Sequence, residues 1–599
     1  MKECQHVKVY HSRQCAVTDK MFRKIKSFVK KHAHAELAII IIAVVSALCM
    51  LPMLKSPLDG HDTDFHLASI YSLASSGEAN LFDVKIFDNM AGSFGYGAGI
   101  FYPQLSHIAS AYIYRLTAKI GISLYQSIAI SHWLFLFISG ILMYFLLRKF
   151  VKSNKVAVVA SLLYVVLPYH LSDILIRDAM AEVGLFIFMP LICLGLYYLA
   201  HKNYAKYFIY FVLGGVGLIN SHLVMTIFIA ACLIIFILAH WRIFMTKQNI
   251  IRLVLGGVLI LAISAPFLAP MVQHRLAGDY TVFLDGYMIN DRTNNSAHIG
   301  LSELLIPIYK SRGIVYNFNI IALVVVIIGL FRLKKLNQSQ RKLYIWLSII
   351  TAICVAFSCG IIHITKWPNS LHMIQFAWRL MTIVCFTFTL LSAIALELLP
   401  SKSAYIAMAL ILVFAIWDYH SVKTNILPSE GRKINSLSRI TKRYNEYYPV
   451  SLYQNLNKYE QRRFNIATLS GQADISKSTG KIPSMNFSVK TNGATLELPR
   501  IFYYGYEIKA QYNDGSIEYL EYQESPLGFI EFNLQQDAKI SVRYTGGAVL
   551  KTSQAIAASS IVLLFAGVSV YQYIIYLRNW GATYLTYCNY TPRKAQRKK

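Results

Sequence analysis

The sequence predicts a polytopic α-helical membrane protein that carries a small β-sandwich domain outside the bilayer. Three observations support this fold class. The 599 residues are 55% hydrophobic and only 15% charged, apolar segments long enough to cross a bilayer recur along most of the chain, and one late region changes to period-two alternation. The formal net charge of +28 would also suit a nucleic-acid binder. Basic loops facing anionic lipids account for it, and no nucleic-acid partner is predicted.

The distribution of Lys and Arg orients the apolar segments. Residues 1–35 form a basic tail that the positive-inside rule places in the cytoplasm, and each later basic turn, starting with Arg148 to Lys155, falls on the same side. The count is then about twelve crossings, with residues 578–599 as a second cytoplasmic tail. The predicted spans lie near residues 36–54, 124–147, 156–170, 182–200, 207–220, 222–241, 251–271, 315–331, 343–364, 376–399, 403–420 and 552–577.

Two regions are predicted to lie outside the membrane. Within the transmembrane domain, residues 36–420, the first outer loop covers residues 55–123, and its segment from Leu105 to Ile120 is predicted to be an interfacial helix. Residues 421–551 form the predicted antiparallel β-sandwich, with turns at Asn492-Gly493, Asn513-Asp514-Gly515 and Gly546-Gly547. The nine cysteines show neither a disulfide framework nor a metal-binding spacing.

Polar and ionisable side chains gather at the predicted outer ends of the spans. Such residues are costly at membrane depth and mark functional sites. The orientation of the spans was assigned without these residues and still places all of them on one face. A shared outer pocket is therefore predicted. The four groups are the stretch GHDTDFH at residues 60–66; Asp173, Arg177, Asp178 and Glu182; Asn220, Ser221 and His222; and Gln375, Trp378 and Arg379.

This set of side chains suits transfer chemistry at a membrane surface. A carboxylate can accept a proton from an attacking hydroxyl group, and His can bind a phosphate whose charge grows as it departs. Arg can also bind this phosphate, because its planar guanidinium group donates two parallel hydrogen bonds and stays charged. A substrate with a lipid tail and a phosphate head would meet these groups, as a polyprenyl-phosphate sugar does.

Several of these motifs, taken in order, also carry a family resemblance. HDTDFH, Gly95-Tyr96-Gly97, Phe101-Tyr102-Pro103, Arg177 with Glu182, Ser221-His222 and QFAWR follow one another along the chain. In this order the sequence resembles bacterial membrane proteins whose domain is labelled 6-pyruvoyl-tetrahydropterin synthase-related. It is similar in turn to the YfhO-like proteins, which belong with the GT-C glycosyltransferases. The resemblance covers nearly the whole chain, and its label implies no pterin chemistry.

The resemblance implies a GT-C-like enzyme that transfers a sugar with inversion from a polyprenyl-phosphate donor to a glycan or glycolipid acceptor. The site would lie on the outer face of a bacterial cytoplasmic (inner) membrane, with both termini in the cytoplasm. Asp62, in the frame His-Asp-x-x-Phe-His, matches the catalytic carboxylate, and Asp64 is a second catalytic candidate that could share a divalent cation with it. No other cofactor is expected. The substrate-binding candidates are His66, Arg177, Glu182, His222, Gln375 and Arg379.

Each candidate also has a purely structural interpretation. Arg177 and Asp173 have the i, i+4 spacing of a helix-surface ion pair, and Glu182 suits a helix N-terminus. His66 could sit at the interface or orient the base, His222 could be a packing residue, and Arg379 could extend to headgroups. Two other functions stay open: a transporter or flippase of lipid-linked glycans, and a non-catalytic partner in glycan assembly.

Overall fold

The protein is a multi-pass membrane protein, largely helical, with a β domain near its C-terminus. The computed structural model describes residues 34–55, 58–284, 298–307, 313–362, 374–426, 444–461, 464–476, 478 and 485–588, with side chains up to residue 578. The predictions for residues 1–33 and for the final segment TPRKAQRKK therefore lie outside the described residues.

Helices account for most of the chain before the β domain. They are α1 (His34–Cys49), α2 (Leu51–Lys55), α3 (Thr63–Ser75), α4 (Ala98–Phe101), α5 (Leu105–Thr117), α6 (Leu124–Leu147), α7 (Asn154–Val166), α8 (Pro168–Leu175), α9 (Met180–Ala200), α10 (Tyr204–Ser221), α11 (Leu223–Ala239), α12 (Trp241–Phe244), α13 (Lys247–Ala277), α14 (Ile320–Phe331), α15 (Gln338–Ser358), α16 (Met381–Leu398), α17 (Ser401–Asn425), α18 (Val450–Gln454), α19 (Leu456–Gln461) and α20 (Gly547–Cys588).

Helix length and composition do not confirm the predicted count of about twelve crossings. Within the described residues, a helix occupies each of the twelve predicted positions. Seven are long and apolar enough to cross a membrane, or eight if α7 and α8, which meet at 43°, form one broken span. Helices α1, α11 and α14 are apolar but shorter. The central helix is α16, since 94% of the apolar window at Ala377–Leu398 is buried, against 17% for α20.

Two predicted boundaries are corrected by local features. The turn predicted around Asp173 is helical: Pro168 occupies the first turn of α8, a position that needs no backbone N–H, so the chain bends and continues as helix. The span predicted from residue 315 begins only at Ile320, because the Asn319 side chain accepts a hydrogen bond from Ala322 N and caps α14. The preceding residues 313–319 have no helical structure and lie against the candidate site.

The β domain is antiparallel, as predicted, but is one seven-stranded sheet. Strand β2 pairs with β7 along its first part and with β6 along its second, while β1 covers its other edge. Two wings, β4-β3-β7 and β6-β5, therefore share one long strand. The strands are β1 (Ala467–Ile475), β2 (Met485–Ile501), β3 (Tyr506–Tyr512), β4 (Ile517–Leu520), β5 (Tyr522–Glu524), β6 (Phe529–Leu534) and β7 (Ala538–Tyr544).

The turn predicted at Asn492-Gly493 is wrong, because β2 runs straight through it. Gly493 has φ 120° there, which glycine tolerates inside the strand. The turn at Asn513-Asp514-Gly515 does join β3 to β4.

The β domain rests on the predicted first outer loop, residues 55–123, and on the end of α13. Arg500 Nη1 donates to Ser93 O at 3.1 Å, and Tyr504 OH donates to Ala277 O at 2.6 Å. Gly97 lies so close to the Tyr503 ring that a Cβ there would come within 2.6 Å of it. The loop is thus clamped between the sheet and the helices, next to the motif at residues 60–66.

Candidate active site

The motif at residues 60–66 is fixed against the loop that follows α8. Asp62 N donates to Arg177 O at 2.9 Å, a backbone contact that ties the start of α3 to this loop. Gly60 permits the approach, since a Cβ there would lie 2.9 Å from Asp178 Cβ and 3.1 Å from the Arg177 carbonyl carbon. The backbone, rather than a side chain, therefore brings Asp62 to Arg177.

Asp62 is the accessible member of the site. Its side chain is 46% exposed, and its Oδ2 lies 3.8 Å from Arg177 Nη2. It occupies the N-cap position of α3 without a side-chain cap hydrogen bond to the described helix. The carboxylate is therefore available to a molecule approaching from outside.

A buried charged cluster lies directly behind Asp62. Arg177 Nη1 donates to Asp173 Oδ1 at 2.6 Å and to Glu182 Oε2 at 2.7 Å, and Nη2 donates to Glu182 Oε1 at 2.8 Å. The guanidinium lies 4.7 Å from the ring centroid of Trp378. Only 3% of the Arg177 side chain is exposed, so the pair with Asp173 is formed but is not on a helix surface.

Arg379 joins this cluster from the segment before α16. Its Nε lies 2.8 Å from Glu182 Oε1 as an ion pair, although without the alignment of a hydrogen bond. Its Nη1 donates to Gln375 Oε1 at 2.7 Å and to Ile374 O at 3.1 Å. Gln375 has φ 64°, a backbone conformation that a non-glycine residue adopts at some cost. In this structure the partner of the Arg379 cation is therefore a protein carboxylate, that of Glu182.

His222 has both a structural contact and a site contact. Its Nδ1 accepts a hydrogen bond from Met225 N at 3.3 Å and caps α11. Its Nε2 lies 3.9 Å from Glu182 Oε1. The side chains of His222 and Arg379 keep 11% and 12% exposure, so both remain within reach of a ligand at the rim.

Asp64 and His66 lie on α3 beside this cluster. Asp64 is half-buried in the first turn, where the helix N-terminus favours a carboxylate. His66 is buried, and its Nδ1 lies 2.6 Å from His107 Nε2, so one ring must donate to the other. Burial lowers the pKa of both rings, that of His107 well below its usual range. His66 thus packs inward as a neutral ring, next to Tyr102.

Two neighbours of the site, His132 and Tyr169, were not predicted from the sequence. His132 Nε2 lies 2.7 Å from Asp178 Oδ1, and Tyr169 OH donates to Glu182 Oε2 at 3.4 Å. His132 lies inside the apolar α6, and an ionisable residue in such a helix was the available signal. Tyr169 gave none, because aromatic residues are common at membrane interfaces.

The charges within the cluster nearly balance. Glu182 engages both guanidinium groups, and Asp173 and Asp62 contact Arg177 as well. An incoming anion would therefore compete with Glu182 for Arg379. Among the described residues, no group of three or more His, Cys, Asp or Glu side chains is arranged to hold a metal ion. A cation at Asp62 would take its remaining ligands from water or substrate.

The fold and this site define a class: a multi-pass membrane protein with a charged cluster at the ends of its central helices. The chain belongs to a family of unknown function (DUF6541), whose model matches residues 20–412. This is a different family label from the 6-pyruvoyl-tetrahydropterin synthase-related and YfhO-like families that the motifs resemble.

Two further similarities are to glycosyltransferases. Over 120 residues the chain is 28% identical to dolichyl-phosphooligosaccharide-protein glycotransferase 2 of Pyrococcus furiosus, covering 20% of this chain and 16% of that protein. The cryo-EM structure of the arabinofuranosyltransferase AftD from Mycobacteria is similar with a TM-score of 0.39 and 14% identity, covering 65% of this chain and 26% of that chain. The chain thus spans well under a third of the length of either protein. The similarity to the Pyrococcus protein agrees with the resemblance only in that both point to a glycosyltransferase.

Proposed function

We propose that this protein is a GT-C type membrane glycosyltransferase, which moves a sugar from a polyprenyl-phosphate donor to a glycan or glycolipid acceptor. One observation carries the proposal. Asp62 is an accessible carboxylate, held by backbone hydrogen bonding beside a buried Arg177–Glu182–Arg379 cluster at the helix ends. Exposed carboxylates are common, but one fixed beside two guanidinium groups that share a buried carboxylate is typical of an active site.

Asp62 is assigned the role of general base. In an inverting displacement its carboxylate accepts the proton of the acceptor hydroxyl as that oxygen bonds to the anomeric carbon. The bond between the anomeric carbon and the phosphate oxygen breaks at the same time. The polyprenyl phosphate leaves with the electron pair. Asp64, two residues further along the motif, is the second carboxylate available to assist or to share a cation.

Arg379, His222 and Gln375 are assigned to the departing phosphate. Charge grows on the phosphate as it leaves, so cationic and amide donors aimed at it stabilise the transition state more than the ground state. Arg379 and His222 both contact Glu182 and both keep some exposure. Glu182 lies against both side chains and tempers the charge of Arg379, which would let the product phosphate dissociate.

Arg177 is better suited to positioning than to substrate binding. Its guanidinium is buried and already engaged by Asp173 and Glu182, and its contact with Asp62 helps to orient that carboxylate. His66, buried against His107, would support the position of α3.

The proposed location is the outer face of a bacterial cytoplasmic membrane. The helices that contribute the site lead, at their opposite ends, into basic turns such as those around Lys155, Lys202 and Lys402. If those turns face the cytoplasm, as the positive-inside rule predicts, the site opens on the other side. Membrane lipids and a lipid-borne donor are its partners there.

The test is a transfer assay on the purified protein with synthetic polyprenyl-phosphate sugars. Asp62→Asn is expected to lower kcat by about a hundredfold to ten-thousandfold, the usual contribution of a general base, while donor binding persists. Asp83→Asn makes the same charge change at an exposed position of the same loop and serves as the control. Equal turnover in Asp62→Asn and wild type would refute the assignment.

The same protein can be tested as a flippase in proteoliposomes that contain a fluorescent lipid-linked glycan. Translocation without transfer, unaffected by Asp62→Asn, would favour the transport alternative. Neither activity, together with stable binding to another membrane glycosyltransferase, would favour the non-catalytic partner.

A further inference from the structure

One wing of the β domain carries a concave polar face. Its six side chains are Asn486, Ser488, Lys509, Gln511, Lys539 and Ser541, here called the polar face, and they line a cavity of about 400 Å³ together with Ser476. They alternate with residues that point into the core, such as Phe487, Ile508 and Ile540. The face is therefore the outer side of a sheet whose inner side is packed.

Strand register brings the six residues into two adjacent rows. Asn486 pairs with Ser541, which pairs with Lys509 on the next strand. Ser488 pairs with Lys539, which pairs with Gln511. Residues directly opposite on antiparallel strands have Cβ atoms only about 5 Å apart, so the two lysines lie diagonally within one compact patch.

The rows continue onto the edge strand β4. Lys509 pairs with Tyr519 and Gln511 with Ile517. Tyr519 is 63% exposed and Ile517 is 51% exposed. An amphipathic aromatic ring thus stands at the rim of a polar cavity, an arrangement with one apolar surface and several hydrogen-bonding groups.

The charge of the face is positive. The six residues include two lysines and no carboxylate. In the next row Arg543 pairs with Glu507, and its Nη2 donates to Glu78 Oε1 of the first outer loop at 2.8 Å. That arginine is already engaged, so the lysines supply the cationic character of the cavity.

We infer that the polar face is a binding site for an acidic glycan, an oligosaccharide that carries carboxylate groups. Hydroxyl and amide side chains both donate and accept, as sugar hydroxyl groups require. The lysines provide compact cations for the carboxylates, and Tyr519 offers a flat surface for a sugar ring. An anionic membrane surface fits less well, since such recognition takes clusters of about four to eight basic residues.

This site does not depend on the proposed transfer reaction. Binding needs neither a donor nor turnover, and the polar face shares no residue with the cluster around Glu182. A positive binding result with an inactive transferase, or the reverse, would separate the two proposals.

The probe is a tetrameric oligogalacturonate, compared with its methyl ester, which keeps the same sugars but removes the charges. Binding is measured by calorimetry on the full-length protein in neutral-lipid nanodiscs. The acidic oligomer is expected to bind at least about tenfold more tightly than the ester, as expected for charge-assisted hydrogen bonds.

Variants identify the face. Lys509→Gln combined with Lys539→Gln is expected to weaken oligogalacturonate binding about tenfold or more without affecting the ester. Tyr519→Ala should weaken both ligands. Lys458→Gln, an exposed lysine of α19, is the control and should bind like wild type.

Three results would overturn the inference. They are equal affinity for the acid and the ester, no effect of the double lysine variant, and oligogalacturonate binding abolished equally by Lys458→Gln. Binding to anionic vesicles that the double variant abolishes, with no binding of the glycan, would assign the face to a lipid surface instead.

Discussion

Glu182 is the residue on which the candidate site depends most directly. Its two oxygens contact the guanidinium groups of Arg177 and Arg379, and it is 2% exposed. Removing one partner from a buried ion cluster leaves the others uncompensated at a cost of about 3–5 kcal/mol. The cluster is thus a structural requirement as well as a candidate for chemistry.

Glu182→Gln should therefore lower the free energy of unfolding by about 3–5 kcal/mol. Glu78→Gln, which breaks the exposed pair with Arg543, should cost less than about 1 kcal/mol. Thermal unfolding in detergent, followed by the helical circular dichroism signal, compares the two. Similar shifts in both variants would mean that the cluster contributes no more than a surface pair.

Asp88 links stability to pH at the junction of the outer loop and the β domain. Burial raises the pKa of its carboxyl to about 7, against an opposing effect of Arg500. When folding raises the pKa of a carboxyl, its protonated form stabilises the folded state. This contribution is complete when the pH is below the pKa of the unfolded state, near 3.8, and it is lost as the pH rises through about 7.

Unfolding measured between pH 5 and 8.5 should therefore show stability falling with pH, by up to about 1.4 kcal/mol per pH unit for one proton. The fall should level off above the raised pKa. Asp88→Asn should remove this part of the slope, whereas Asp83→Asn, at an exposed position nearby, should keep it. An unchanged slope in Asp88→Asn would rule out this carboxyl as its source.

At the scale of elements, the start of α3 is placed by a close backbone approach. Gly60 leaves no room for a Cβ beside Asp178 and Arg177. Gly60→Ala should push α3 away, lower stability by about 1–3 kcal/mol and reduce transfer by separating Asp62 from Arg177.

Gly257→Ala is the matched control, because a Cβ at that position meets no atom within 4 Å and alanine is the better helix former. Stability and kcat are measured on both variants. Full activity and stability in Gly60→Ala would show that the approach of the two backbones is not required.

Other elements show how polar caps override apolar pattern. Residues 315–319 were predicted to be part of the span that contains α14, yet they stay outside the helix. There the Val315 backbone bonds Ser172 Oγ, and Tyr316 stacks on Tyr169 with centroids 5.9 Å apart. Neither hydrophobic periodicity nor a hydropathy average along the sequence can predict such contacts between distant segments.

At the scale of the whole molecule, the transmembrane and β domains meet through the first outer loop. Tyr459 OH donates to Ala91 O at 2.7 Å, and Tyr96 OH donates to Glu446 Oε2 at 3.1 Å. The same loop leads to Tyr102, whose ring contacts Phe65 on α3. Contacts of this loop thus extend from the segment before the β strands to the motif that holds Asp62.

The orientation of the molecule can be tested by labelling with a membrane-impermeant maleimide. In a background with the nine native cysteines replaced, Lys119→Cys in the first outer loop should react in intact cells. Lys335→Cys, in a basic turn, should react only after permeabilisation. The opposite pattern would place the site in the cytoplasm and exclude an outer-face donor.

Sequence alone was enough to indicate a membrane protein with an antiparallel β domain, because hydrophobic runs and period-two alternation are local properties. It also selected the acidic, arginine and histidine residues that meet around Glu182, although not Tyr169, because charge at membrane depth is rare and needs a function or a partner. The order of motifs indicated a glycosyltransferase-like protein, and the family model supplied the family.

Only the tertiary structure decided which of those residues are buried, which are paired and which are accessible. It buried Arg177 between Asp173 and Glu182, left Asp62 accessible, turned His66 inward onto His107, and joined both wings of the sheet through β2. Exposure and ion pairing depend on which segments lie next to each other in space. That proximity is set by packing between helices far apart in the chain, which no local pattern encodes.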